Sequence, residues 1–237
     1  GRQLAEALVR DKGWGTSAKY LITGVEADLK ELLALMRPEA HNYEELALDY
    51  ASAGCWEEAL MVAETAIGQN VSGQTMLHYY KSWFLIQLDR KEEALVAIRE
   101  AEQQLPDCCF PNVLEAILAL QSVIGFATET PKALYYWGNL WYDKRQYPEA
   151  ITCWETSMQQ DDTFPTVLRN LSLAYFNKLN RQEEAVTLLE KAFALDMTDA
   201  RILMELDQLY KRLNCSHEDR LAFLKKHKDI AFQRDDL

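Results

Sequence analysis

The chain reads Gly54-Cys55-Trp56-Glu57-Glu58-Ala59, and the same order of a turn residue, acidic residues and alanine returns at three later places. Those places are residues 89–94, 145–150 and 180–185. The final alanines of the four segments lie 35, 56 and 35 residues apart. A repeat period of this length is typical of an array in which copies of one supersecondary unit stack on each other.

Helical periodicity flanks each of these segments. Before the third one, Leu134, Trp137 and Trp141 recur at helical spacing, and a second apolar stripe begins at the alanine of each segment. Such a stripe predicts an amphipathic helix. Each unit is therefore expected to be a helix, a turn and a helix, and the fold to be an all-α, right-handed α-α superhelix with an insertion helix.

The residues of the turn suit this interpretation. Gly54 and Asn180 can adopt the left-handed conformation that ends a helix, and Pro148 fits the first turn of the next helix. Acidic side chains just after the turn stabilise the positive end of the second helix dipole. Because alanine is small, we expect the repeated alanines to lie where two helices approach closely.

Composition narrows the function classes. Of 237 residues, 37 are acidic and 25 basic, for a net charge of -12, and no Lys/Arg-rich run is present. Nucleic acid is therefore not an expected partner, and no apolar stretch approaches the length of a membrane span. The five cysteines show no zinc-type spacing, so we expect no metal, no cofactor and a cytoplasmic location. Because the chain opens with Gly1, we expect it to be a piece of a longer protein.

One unit matches a known repeat closely. The third unit carries these residues in order: Trp137, Gly138, Trp141, Tyr147, Ala150 and Trp154. They resemble the tetratricopeptide repeat, a helix pair of about 34 residues. The second unit departs from that pattern at His78, Lys81 and Ser82, and the fourth carries one extra residue between Tyr175 and Ala185.

The repeats divide the chain into five expected segments. They are a partial upstream repeat with an apolar stripe over residues 29–36 (1–39), repeats one and two (40–106), an insertion helix (107–130), repeats three and four (131–199) and a degenerate terminal repeat (200–237). The insertion helix is expected to start with a capping box of Asn112 and Glu115. In the terminal repeat Arg220 stands where the alanine should be.

Longer phrases carry a second resemblance. They include Tyr135-Tyr136-Trp137-Gly138-Asn139-Leu140-Trp141-Tyr142 and Glu205-Leu206-Asp207-Gln208-Leu209-Tyr210. These phrases resemble the repeat region of large bacterial proteins in which a mutarotase-like, sugar-domain β-sandwich of uncertain function precedes the helical repeats. The resemblance implies a bacterial, sugar-related parent protein. It carries no catalytic residue over to this chain, which lacks the sandwich.

In stacked helix pairs of this kind the first helices line a concave surface. The candidate ligand-groove residues there are Tyr79, Trp83, Gln87, Tyr135, Asn139, Arg169, Asn170, Asn177 and Gln208. Aromatic, amide and guanidinium groups suit either a peptide or a sugar ring, and Tyr79 and Tyr135 are equally compatible with the core. Asn139 matches the carboxylate-clamp variety of the repeat, but Tyr135 replaces its lysine.

We therefore expect a non-enzymatic scaffold that binds a peptide, a partner helix or another domain of its parent chain in this groove. The four histidines are spread over three units, and neither a Ser-His-Asp order nor a glycine-rich phosphate loop surrounds them. An accessory region of a bacterial carbohydrate-active or carbohydrate-binding protein is the alternative. Self-association through exposed ends of the array is a third hypothesis.

Overall fold

The computed structural model describes residues 39–106 and 109–233. Within these ranges the chain is helical and has no strand, and Glu39 and Ser72 form an isolated parallel bridge. The described residues divide into two compact units, the first ending at Cys109 and the second beginning at Phe110. The prediction of an all-α fold made of successive helix pairs is confirmed.

The first unit contains two helix pairs. The helices are α1 (Ala40–Ser52) and α2 (Trp56–Gly68) in repeat one, and α3 (Thr75–Gln87) and α4 (Lys91–Gln103) in repeat two. Each helix packs against the next one along the chain. Ten of the thirteen residues of α3 are buried, so this helix forms the centre of the unit.

The second unit begins with the insertion helix and continues with three helix pairs. The helices are α5 (Leu114–Phe126), α6 (Pro131–Asp143), α7 (Tyr147–Gln160), α8 (Pro165–Ala174), α9 (Gln182–Leu195), α10 (Ala200–Arg212), α11 (His217–Lys226) and the short α12 (Lys228–Ala231). The insertion helix α5 packs on α6 through Ala116, Ala119, Leu120 and Val123, which are buried. Leu114 and Leu118 on its other side are exposed.

The turn inside each pair closes in the same way. Its key residue has a positive φ in all five pairs: Gly54 (78°), Asp89 (57°), Arg145 (62°), Asn180 (54°) and Asn214 (60°). The following residue then donates its N–H to a carbonyl near the end of the first helix, as Cys55 does to Tyr50 at 2.9 Å. This geometry is the left-handed helix end that Gly54 and Asn180 predicted, and both predictions are confirmed.

The extra residue of repeat four is absorbed in a π-helical turn, Tyr175–Leu179, that continues α8. Its closing bond joins Arg181 N–H to the Tyr175 carbonyl at 3.0 Å and spans six residues, whereas the equivalent bond from Gln146 to Trp141 spans five. A π-helical turn accommodates one additional residue without breaking the helix. The turn to α9 therefore keeps its left-handed residue at Asn180.

The repeated alanines lie at the contacts between paired helices. Ala59, Ala94, Ala150 and Ala185 are each fully buried, which confirms the predicted packing. In repeat three, a Cβ atom placed on Gly138 would lie 2.4 Å from the Trp154 indole nitrogen. The two helices are therefore too close for any side chain at this point.

Hydrogen bonds from tyrosine to glutamate link consecutive repeats in the second unit. Tyr175 donates to Glu155 at 2.5 Å, and Tyr210, 35 residues later, donates to Glu190 at 2.7 Å. Burial and the neighbouring carboxylate raise the pKa of Tyr175 to about 12, so its hydroxyl keeps the donated proton at neutral pH. Each bond joins the first helix of one repeat to the second helix of the repeat before it.

Two details differ from the sequence predictions. The insertion helix begins one residue later than the capping box requires, because Val113 is extended (φ -99°, ψ 158°) and takes the N-cap position without a side-chain bond. Asn112 is therefore not the cap. In the terminal repeat, the helix contact at the alanine position is instead an ion pair, in which Arg220 bonds to Asp207 through two hydrogen bonds of 2.9 and 2.5 Å. The predicted upstream repeat lies outside the described residues except for Glu39.

Candidate functional site

The structure separates the predicted groove residues into a buried and an accessible set. Tyr79, Trp83 and Tyr135 are buried, with 0%, 7% and 7% of their surface exposed. Accessible to different degrees are the six polar residues Gln87, Asn139, Arg169, Asn170, Asn177 and Gln208. The accessible residues of the predicted groove are therefore polar.

The buried rings have structural contacts. The Tyr79 hydroxyl donates to Glu102 on α4 at 3.0 Å. The Tyr135 ring packs edge-on against Phe164 with 4.9 Å between ring centroids. The backbone carbonyl of Tyr135 accepts a hydrogen bond from the Trp154 indole at 3.1 Å. Trp83 packs edge-on against Trp56 with 5.4 Å between ring centroids. Because all three rings are buried in helix packing, the expectation that Tyr79, Trp83 and Tyr135 line a groove is corrected.

Of the three predicted groove residues in the first unit, Tyr79, Trp83 and Gln87, only Gln87 is exposed. It lies at the exposed end of α3, a helix whose other predicted ligand residues are buried. A shallow cleft of about 260 Å³ lies elsewhere in this unit, lined by Lys81 and Glu64 among others. Lys81 there contacts Glu100 at 3.3 Å and Glu64 at 4.0 Å, so its charge is already compensated.

In the second unit, polar side chains connect the first helices of three consecutive repeats. Asn170 on α8 donates to the Asn139 amide oxygen on α6 at 3.0 Å. Arg169 donates to the Asn170 amide oxygen at 3.0 Å and to Glu205 on α10 at 2.6 Å, with a second, shorter bond to the same carboxylate. We call Asn139, Asn170, Arg169 and Glu205 the amide ladder.

The guanidinium group determines which way each amide points. Arg169 can only donate, so Asn170 must turn its oxygen toward Arg169 and its NH₂ toward α6. Asn139 must then present its own oxygen to Asn170. This leaves the NH₂ group of Asn139 with no partner among the described residues, at a side chain that is partly exposed. The ladder thus ends in an oriented hydrogen-bond donor.

The charge of Arg169 is largely compensated inside the ladder. The Arg169 and Glu205 side chains are only 12% and 11% exposed, and both carboxylate oxygens of Glu205 accept from Arg169. Arg201, which is 61% exposed, also donates to Glu205 at 3.3 Å. Glu205 therefore holds two arginines from two helices, and it keeps Arg169 beside the amides.

Asn177 and Gln208, the remaining predicted groove residues of this unit, have partners outside the ladder. Asn177, in the π-helical turn, donates to the Leu173 carbonyl at 2.8 Å and accepts from Arg212 at 3.3 Å. Gln208 donates to the Met204 sulfur at 2.8 Å within α10. Both side chains are exposed, and their hydrogen-bond partners are not members of the ladder.

Two members of this surface were not predicted from the sequence. Glu205 lies 35 residues after Asn170, the same interval that separates the alanines, so the repeat register could have indicated it. Phe176, whose ring lies under Arg212, belongs to the π-helical turn. No register argument places that residue, because the extra residue of repeat four shifts it.

The other reactive groups that the structure describes, such as His78 and Cys153, are not part of the amide ladder. Burial lowers the pKa of His78, and neither ring nitrogen has a hydrogen-bond partner in the described part of the chain. Burial raises the pKa of Cys153 to about 11, which disfavours a thiolate. Across residues 39–106 and 109–233, no three His, Cys, Asp or Glu side chains are grouped so as to hold a metal ion. Nor is any helix there long and apolar enough to cross a membrane.

No protein-family model matches the chain. Among solved structures it is similar to MamA, with 11% identity and a TM-score of 0.47 over 79% of this chain and 95% of that one. It is also similar to MamA 41-end from Desulfovibrio magneticus RS-1, with 17% identity, a TM-score of 0.46 and coverage of 83% and 97%. YrrB, described as a TPR protein with an unusual peptide-binding site, gives 15% identity, a TM-score of 0.45 and coverage of 83% and 89%.

Proposed function

We propose that this chain is a non-enzymatic scaffold that binds an extended segment of a protein partner, held over the amide ladder of the second unit. The observation that carries this proposal is the hydrogen-bonded order of Asn139, Asn170, Arg169 and Glu205 across three first helices. Consecutive repeats are also joined by the Tyr175–Glu155 and Tyr210–Glu190 hydrogen bonds, so the ladder is not their only link.

An extended peptide suits this surface for a chemical reason. Its backbone presents unpaired N–H and C=O groups on both edges, and each needs a partner when it leaves water. The NH₂ group of Asn139 can donate to such a carbonyl, and the second lone pair of the Asn170 oxygen can accept from an N–H group. Because Arg169 and Glu205 hold these amides in place, binding costs little additional side-chain entropy.

The structure favours a peptide over the carbohydrate alternative. Recognition of a sugar in the groove relied on aromatic faces on which the ring could stack, and Tyr79, Trp83 and Tyr135 are buried. The amide ladder needs no aromatic platform. A sugar-related parent protein, a bacterial source and self-association stay predictions from the sequence.

The proposal is tested with an array of 12-residue peptides of random sequence. The wild-type protein is expected to bind a subset of them, and Asn139→Ala with Asn170→Ala is expected to weaken that binding about thirtyfold, because each of the two lost hydrogen bonds contributes about 1 kcal/mol. Fluorescence anisotropy with the strongest array peptides measures the change.

A matched control removes two exposed amides elsewhere in the same unit. Gln121→Ala with Gln159→Ala alters α5 and α7, outside the ladder, and should leave peptide binding unchanged. Circular dichroism should show the same helix content for both double variants. Equal binding by the wild type and the ladder variant would refute the proposal.

A further inference from the structure

Arg212 is held in place by uncharged groups. It lies at the end of α10, and its Nη1 donates to the Asn177 amide oxygen at 3.3 Å. Its guanidinium carbon lies 5.5 Å from the centre of the Phe176 ring, within the range of a cation–π contact. The amide and the ring restrict the side chain but leave its positive charge uncompensated.

Among the described arginines, Arg212 shares the lack of an ion pair with Arg99 and Arg145, and it differs from them in being held by Asn177 and Phe176. The other five form ion pairs with carboxylates, namely Arg90, Arg169, Arg181, Arg201 and Arg220. Arg212 has no carboxylate partner in the described ranges. Since Nη1 is used by Asn177, the edge formed by Nε and Nη2 is open, and that edge matches the two oxygens of a carboxylate.

Nearby charges also favour a carboxylate at Arg212. Because Arg169 and Glu205 form a largely buried pair, Arg201 and Arg212 are the exposed arginines of α10. The chain as a whole carries a net charge of -12. An exposed positive region on an acidic protein concentrates anionic ligands near itself and disfavours cationic ones.

From this geometry we infer that the bound segment is acidic, and that Arg212 binds one of its carboxylates through the Nε and Nη2 edge. This inference rests on the proposed function, since the ladder must first hold the peptide backbone. The carboxylate can belong to an aspartate or glutamate side chain or to the peptide C-terminus. In either case Phe176 and Asn177 position the arginine before the ligand arrives.

The test uses the full chain and the same array of random 12-residue peptides, synthesised once with amidated and once with free C-termini. Peptides bound by the wild type should be enriched in aspartate and glutamate, or in free C-termini if that is the carboxylate recognised. Arg212→Gln should remove the enrichment and lower the affinity for acidic peptides roughly three- to tenfold, while the affinity for neutral peptides stays the same.

The control is Arg99→Gln, which removes an equally exposed arginine from α4 in the first unit and should keep the acidic preference. If Arg212→Gln keeps the same preference as the wild type, the inference is overturned although peptide binding stands. If the wild type binds no peptide on either array, the proposed function fails, and the inference fails with it.

Discussion

At position 138 the backbone of α6 comes so close to α7 that only hydrogen fits. An added Cβ would lie 2.4 and 2.5 Å from two atoms of the Trp154 indole and 3.1 Å from the Ala150 carbonyl oxygen. The indole cannot move freely, because its nitrogen donates to the Tyr135 carbonyl at 3.1 Å. One residue therefore determines how closely the helices of repeat three pack.

Gly138→Ala is expected to lower the free energy of unfolding by about 1–3 kcal/mol, because the new methyl group must displace a hydrogen-bonded indole in a packed core. Urea denaturation followed by circular dichroism measures the loss.

The matched control for this change is Gly125→Ala in α5, where a Cβ atom would meet nothing within 4 Å. That variant should gain up to about 1 kcal/mol from the higher helix propensity of alanine. Equal effects of the two substitutions would contradict the packing argument.

The pKa of His78 predicts how the free energy of unfolding depends on pH. The ring is buried, Lys81 also disfavours its charged form, and Glu100 only partly offsets these effects, so its pKa is lowered in the folded protein. The neutral ring is thus favoured by folding, and the stability it contributes is present above the ordinary pKa of about 6.5 and is lost as the pH falls below it.

Replacing this histidine by the aromatic residue typical of the position removes the titration. Between pH 7 and pH 5, the free energy of unfolding should fall less for His78→Phe than for the wild type. Denaturant titrations of both proteins at both pH values measure this difference. The other histidines are common to both proteins, so the difference reports His78 alone. Parallel pH dependences would show that this ring does not titrate on unfolding.

At the scale of an element, the terminal helix pair uses a different contact from the pairs before it. In repeat four Ser172 donates to the Ala185 carbonyl at 2.6 Å, so two small residues meet. The residues 35 positions later are Asp207 and Arg220, whose side chains are 12% and 15% exposed and form two hydrogen bonds. An ion pair thus replaces the close approach, and α11 contains no buried residue.

A double-mutant cycle tests whether this pair holds α11. Arg220→Ala leaves the Asp207 carboxylate without its partner, and Asp207→Ser leaves the guanidinium without one, so each should destabilise the protein. The double variant restores the serine and alanine of repeat four, and it should be more stable than the sum of the single changes predicts by about 1 kcal/mol. Thermal unfolding measures all four proteins. Additive effects would mean that the two side chains do not interact.

At the scale of the whole molecule, each of the two units has its own core. The first is centred on α3, with Tyr79, Tyr80 and Phe84 almost fully buried. The second has buried residues on α5 to α10, among them Leu120, Leu168 and Leu203. A compact unit with its own core and short connections can fold alone.

Residues 110–237 are therefore expected to fold as a separate fragment. The fragment should show a helical circular dichroism spectrum and cooperative urea unfolding, and Gly138→Ala should destabilise it by the same free energy as in the full chain. A spectrum typical of an unfolded chain would contradict this expectation. The full chain measured under the same conditions is the control.

The sequence could predict features that depend on near neighbours. Helix pairs, left-handed turn residues such as Asn180 and buried alanines such as Ala150 follow from local periodicity and backbone sterics, and the structure confirms them. The repeat register also placed Asn139 and Asn170 on equivalent first helices. The sequence predicted the start of the insertion helix one residue too early, because a capping-box pattern can occur one residue away from the actual N-cap.

The repeat architecture was thus determined by the sequence itself, since a helix, its turn and a small contact residue each depend on residues within a few positions of one another. Only the tertiary structure decided which side chains a ligand can reach. Tyr79 and Tyr135 have the helical position of groove residues but are covered by neighbouring helices, whereas Arg169 meets Glu205 across 36 residues. Burial and ion pairing of this kind arise from packing between helices, which no local pattern of residues specifies.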